Sequence, residues 1–159
     1  MDTTQLAMFF HLIGFGLLAT MNVSGWLLNA QYRKAADYKS KLIVLSSARA
    51  IGLLSPLAIG IVLLTGIANM MVRGLGFTTE VWLEIKVILF LIAATNGVLF
   101  AIRSKKRGGL VAQLAQGSAP GGSEATLASM DRLASVFNIV QSVLLISILI
   151  LTVWKPGRF

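Results

Sequence analysis

His11, the single histidine of the chain, and Lys86 are the two side chains least in keeping with their surroundings. His11 sits in LAMFFHLIGFGLL, and Lys86 in VWLEIKVILFLIAATNGVLFAI, where Glu84 is the only other charge. An ammonium group inside a spanning helix costs roughly 2.5–3.5 kcal/mol on insertion scales, so an intramembrane lysine marks a candidate site by default. A histidine can titrate near neutral pH or bind a metal. If the two residues share a depth, they define one place where a ligand could be held. The sequence singles out no catalytic residue.

The elements that must position them are spanning helices. Of 159 residues, 56% are hydrophobic and 13% charged, and the mean hydropathy of +0.81 is far outside the range of water-soluble domains. About 20 helical residues cross the roughly 30 Å of hydrocarbon, and four apolar runs meet that length, at about 6–28, 43–70, 81–102 and 136–154. Such runs lack the alternation of barrel strands, and lipid demands that backbone groups be satisfied within the segment. The expected fold is all-α, an integral membrane four-helix bundle in a single transmembrane domain over 1–159. MDTTQ has an acidic leading segment, so the first run is expected to be a span rather than a cleaved signal peptide. The chain has no cysteine, which excludes disulfides and thiolate ligation.

Basic residues orient the bundle. Arg33, Lys34, Lys39 and Lys41 follow the first span; Arg103, Lys105, Lys106, Arg107 and Arg132 lie between the third and fourth. The opposite side carries only Arg73, Lys155 and Arg158. The positive-inside rule places both basic loops in the cytoplasm and both termini on the outer (periplasmic) side. The net charge of +8 is thus a topology and lipid feature rather than a nucleic-acid footprint. It predicts attraction to anionic lipids at the basic cytoplasmic loops. The third loop, 103–132, contains GSAPGGS and reads as flexible. Leu110, Val111 and Leu114 could form a surface helix there, and Ser123 or Thr126 could cap the approach to the last span.

On this orientation His11 and Lys86 each lie about five residues inside the outer end of a span, roughly 7–8 Å deep. Thr65, Gly66 and Asn69 leave the second span at that level. Lys86 shares its helical face with Ala93 and Gly97, small residues that let a neighbouring helix approach, so Lys86 is expected to face the bundle. His11 shares its face with Leu18 and Asn22, while Gly16, Thr20 and Ser24 form a small-residue stripe suited to internal packing or a homo-oligomer contact. The non-functional alternative has Lys86 snorkelling to the interface and His11 bonding a backbone carbonyl or Asn69. Asn22, Arg49, Asn96, Asn138 and Gln141 form a second polar set, read as interhelical hydrogen bonding. Pro56 is expected to kink the second span, with Ser55 helping to satisfy the freed backbone.

FFHLIGFG in the first span, LLTG near the end of the second, WLEIK opening the third and FNIVQSVLLISILILTVWKP in the fourth resemble the HemJ/CopD-like four-span membrane proteins. The last segment is similar to that of HemJ-type protoporphyrinogen oxidases. The resemblance implies a b-type haem or porphyrin in the outer half, with His11 as axial ligand to iron and Lys86 as the second cofactor-binding residue. Phe9, Phe10 and Phe15 would flank the macrocycle, and Arg73 or Lys155 would meet its propionates. It also implies a bacterial inner-membrane location and a possible redox activity. The Asn-Glu-x-Pro of HemJ-type fourth spans is here Asn138-Ile139-Val140-Gln141, which lacks a carboxylate. A non-catalytic membrane subunit or assembly protein is the rival reading. Copper handling, with Met70 and Met71 as soft ligands, and transport rank below both.

Overall fold

The computed structural model describes residues 2–75 and 80–154 of the chain. Five helices follow in order: α1 (Thr3–Lys34), α2 (Tyr38–Gly52), α3 (Ser55–Val72), α4 (Val81–Ala115) and α5 (Ser123–Trp154). Four helical stretches are long and apolar enough to cross a membrane: α1, α2 with α3, α4, and α5. The protein is an all-α, multi-pass integral membrane protein, with α2 and α3 forming the two halves of its second span.

The break between those halves follows from one residue. Pro56 cannot donate to the Gly52 carbonyl, and its ring crowds that turn. The chain responds with a tightened step in which the Leu54 N–H donates to Ile51, and the ladder resumes with the Ala58 N–H on Leu54 at 3.0 Å. The expected kink is present. The expected role of Ser55 is not, because its hydroxyl donates across the bundle to Met21 Sδ at 3.4 Å. Elsewhere the helix starts are conventional. Asp2 and Gln5 form a reciprocal capping box on α1. Asp37 accepts from the Ser40 N–H at 2.7 Å at the start of α2. That backbone bond holds the Asp37 carboxyl below its ordinary value, so the cap is present at neutral pH and lost as the pH falls through the lowered pKa.

α1 packs along α3, and α4 along α5; α2 touches both α1 and α4, and α1 also meets α5. The buried seam is thin and built of small or branched residues, among them Ala7, Ala58, Val62, Ala93, Ala134 and Ile148. Most large apolar side chains point outward, as expected where the solvent is hydrocarbon. The tightest approach is at Gly14, where a Cβ would lie 2.8 Å from side-chain atoms of both Ile61 and Val62. Gly16 and Thr20, by contrast, face outward, and nothing lies within 4 Å of a Cβ built on Gly16. The close helix contact is therefore made by Gly14 and not by the Gly16–Thr20–Ser24 stripe.

The segment expected to be a flexible loop, 103–132, is helical for most of its length. α4 continues to Ala115 and α5 begins at Ser123, leaving a short turn over 116–122 with Gly117 and Gly122 at positive φ. α4 is about 52 Å long at 1.5 Å per residue, well beyond the hydrocarbon thickness. Its last turns and the first turns of α5 make a helical hairpin at the basic end, closed by buried Val111 and Leu127. Val111 is thus an interior residue of α4 rather than part of a separate surface helix. Ser123 and Thr126 do not accept capping bonds. Their hydroxyls donate to the Pro120 and Gly122 carbonyls.

Two polar systems fasten the bundle. Along α1 and α5, Asn22 Nδ2 and Trp26 Nε1 each donate to Ser142 Oγ at 2.9 Å. Asn138 Nδ2 donates to the Gly25 carbonyl, and Asn29 and Arg33 converge on Ser135. Asn96 donates to Gln141 between α4 and α5. Four members of the polar set read from the sequence are therefore interhelical bonds, while Arg49 is exposed on α2. Because two donors share one hydroxyl, Ser142→Ala is expected to cost about 1 kcal/mol, near the upper part of the range for interhelical bonds in membranes. Reversible unfolding in mixed micelles would measure it, and an unchanged midpoint would refute the bridging role. The second system lies at the basic end, where buried Arg107 pairs with Asp131 at 2.7 Å and its guanidinium carbon stands 3.9 Å over the Tyr32 ring.

Candidate functional site

His11 and Lys86 are placed at the end of the bundle opposite the basic hairpin. His11 lies three turns into α1 and Lys86 in the second turn of α4, and both are half-buried. The structure thus places the two at one end of the bundle, on α1 and α4 respectively. Buried Ala93 lies on the Lys86 side of α4, as its helical phase implied.

The partner of His11 is Thr65 on α3. Nδ1 of the ring lies 3.0 Å from Thr65 Oγ1, and that hydroxyl donates to the Ile61 carbonyl at 2.5 Å. A threonine hydroxyl carries one proton. With that proton directed to Ile61, the oxygen accepts, and His11 Nδ1 must be the N–H. The Val62 carbonyl lies 3.4 Å from the same hydroxyl. The neutral ring therefore keeps its lone pair on Nε2. This is the arrangement by which metal-binding histidines are oriented, one nitrogen held by a hydrogen bond and the other left to ligate.

Gly66 on α3 packs directly against the ring: a Cβ there would stand 3.4 Å from His11 Cε1, at van der Waals distance. Asn69, one turn further on, donates to the Thr65 carbonyl at 2.9 Å, while its own Oδ1 is buried without a donor. Thr65, Gly66 and Asn69 are thus assembled around the histidine as their spacing implied, but with Thr65, not Asn69, holding the ring.

Around this point Phe9 and Phe10 are exposed and meet edge to face at 5.5 Å. Phe9, Met8, Leu12 and Arg73 line a shallow cavity of about 340 Å³ at the same end. Arg73 is therefore near the aromatic side of α1; Lys155 lies outside the described residues. Met71 of the Met70–Met71 pair is 76% exposed. Among the described residues no three His, Cys, Asp or Glu side chains are grouped to hold a metal ion.

The chain matches no family model, no curated protein and no solved structure. The polar atoms at the histidine are its own imidazole, held by Thr65, and, on the same helix as Thr65, the buried Asn69 amide oxygen; the shallow cavity beside Phe9 and Arg73 is lined by neither His11 nor Lys86. The tautomer of His11 could not be read from the sequence, because it depends on where the Thr65 proton goes. The LLTG motif was the available pointer to Thr65.

Proposed function

We propose that this multi-pass membrane protein binds haem b, or a related metalloporphyrin, at the end of the bundle holding His11 and Lys86. The observation that carries this reading is the His11–Thr65–Ile61 chain, which leaves Nε2 of a half-buried imidazole as a lone-pair donor. A neutral imidazole is a common axial ligand to haem iron. Lys86 contributes either a second nitrogen or a positive field beside the porphyrin, and Arg73 meets a propionate. Phe9 and Phe10 offer the apolar surface. The bound group would supply one-electron redox chemistry; the protein's own residues orient it and set its polarity. The resemblance to HemJ/CopD-like proteins points the same way, and on this reading the protein lies in a bacterial inner membrane with both termini outside.

The test is spectroscopic. Protein purified from haem-supplied cells is expected to show a Soret band that is lost in His11→Ala. In Thr65→Val the band should persist with haem affinity lowered roughly tenfold or more, the usual cost of removing a hydrogen bond that orients a ligand. Lys86→Ala should shift the band or its reduction midpoint. A colourless protein that takes up no added haem would overturn the reading, and a stoichiometric co-purifying protein would then favour a non-catalytic membrane subunit.

A further inference from the structure

A second cavity lies far from His11, between α4 and α5 near the basic end. It is a groove of about 330 Å³ whose lining includes Arg103, Lys106 and Arg107 at one end and Leu99, Val136 and Val140 towards the other. Phe100 and Phe137 stack across it at 3.9 Å and 12°, giving a stiff aromatic wall shared by both helices. Among the described residues no acidic side chain lines it. From Arg107 to Asn96 the groove descends roughly 16 Å along α4, so its polarity changes in step with membrane depth. Arg103 and Lys106 are exposed, whereas Arg107 is buried and holds one guanidinium nitrogen, Nη2, without a partner.

We propose that this groove binds an anionic phospholipid, with the headgroup phosphate on Arg103 and Lys106 and one acyl chain along Leu99, Val136 and Val140. Charge complementarity selects the occupant. A free phosphate would leave the apolar length of the groove unfilled, and a zwitterionic lipid would bring a cation against Arg103 and Lys106. Buried Arg107 is already paired with Asp131 and stacked on Tyr32, so the positive charge at the mouth comes from Arg103 and Lys106. The site differs from diffuse attraction of lipids to basic loops, because it requires particular basic residues beside a particular furrow. It does not depend on the haem reading.

Native mass spectrometry of the full chain in mild detergent tests this, titrating phosphatidylglycerol against phosphatidylcholine with the same acyl chains. Phosphatidylglycerol adducts are expected to survive conditions that strip phosphatidylcholine. Arg103→Gln with Lys106→Gln should weaken phosphatidylglycerol binding roughly tenfold to thirtyfold, at about 1 kcal/mol per basic residue near the surface. Lys105→Gln, exposed but outside the groove, makes no groove contact and should weaken binding far less than the double variant. Equal loss in Lys105→Gln, or equal retention of the two lipids, would overturn the proposal. So would displacement of the lipid by equimolar inorganic phosphate, which would indicate a small-anion site.

Discussion

Arg107→Ala is expected to destabilise the folded protein by about 3 kcal/mol, the lower end of the range for removing one partner of a buried ion pair. Arg107 is 6% exposed, and its Nε donates to Asp131 Oδ1 at 2.7 Å. Its guanidinium also covers the ring of Tyr32, a cation–π contact made away from water. Truncation strands the Asp131 carboxylate and opens a void over the tyrosine. The lower end applies because the Asp131 side chain retains 29% exposure and water can reach it. The pair draws together α1, α4 and α5 where the helices leave the membrane, so its loss should loosen the hairpin first. Replacing both partners, with Arg107→Met and Asp131→Leu, should cost less than the single truncation, since no charge is left unpaired. Unfolding in mixed micelles, followed by circular dichroism, would measure both. A single-variant loss under about 1 kcal/mol, in the range of exposed pairs, would show the contact to be a surface one.

Gly14→Leu is expected to cost about 3 kcal/mol, the upper end for overpacking, and Gly14→Ala about 1 kcal/mol. The first added carbon already stands 2.8 Å from Ile61 Cγ2 and Val62 Cγ2, and 3.2 Å from the Val62 backbone nitrogen. The two methyls can rotate, but the backbone nitrogen can yield only if α3 moves away. Such a movement also separates His11, one turn earlier on α1, from Thr65 on α3. Gly14→Leu should therefore disturb the His11–Thr65 hydrogen bond as well as stability. Gly16→Leu is the control, because its position is open and outward-facing. If both leucine variants unfold alike, the close approach of α1 and α3 is not what Gly14 serves.

The kink at Pro56, the span lengths and the general level of His11 and Lys86 were legible because each depends on local chemistry. A missing N–H, a run of apolar side chains and a rise per residue do not need a partner to be specified. The face of Lys86 was also readable, since small residues at helical spacing mark a side that another helix approaches. Of the two uses open to Gly16, Thr20 and Ser24, packing inside the bundle is not the one the fold makes of Gly16 and Thr20, which face outward. Spacing identifies a face that permits contact, but only the neighbouring helix decides whether it is used, and α3 lies against Gly14 instead. The loop over 103–132 was misread for a related reason. Its composition is polar and rich in glycine, yet the buried Arg107–Asp131–Tyr32 contact and the packing of Val111 and Leu127 hold it helical.

By itself, then, the amino-acid sequence determined the solvent of this protein, the number of its spans and the break in the second. These follow from transfer free energies and backbone hydrogen bonding, which act residue by residue. Tertiary structure alone decided that Thr65 fixes the His11 tautomer, that Gly14 is the point of closest helix approach, and that α4 and α5 enclose a basic-rimmed groove. Each of those depends on atoms distant in sequence meeting within a few ångströms, and hydrogen-bond direction and steric fit exist only once the helices are packed.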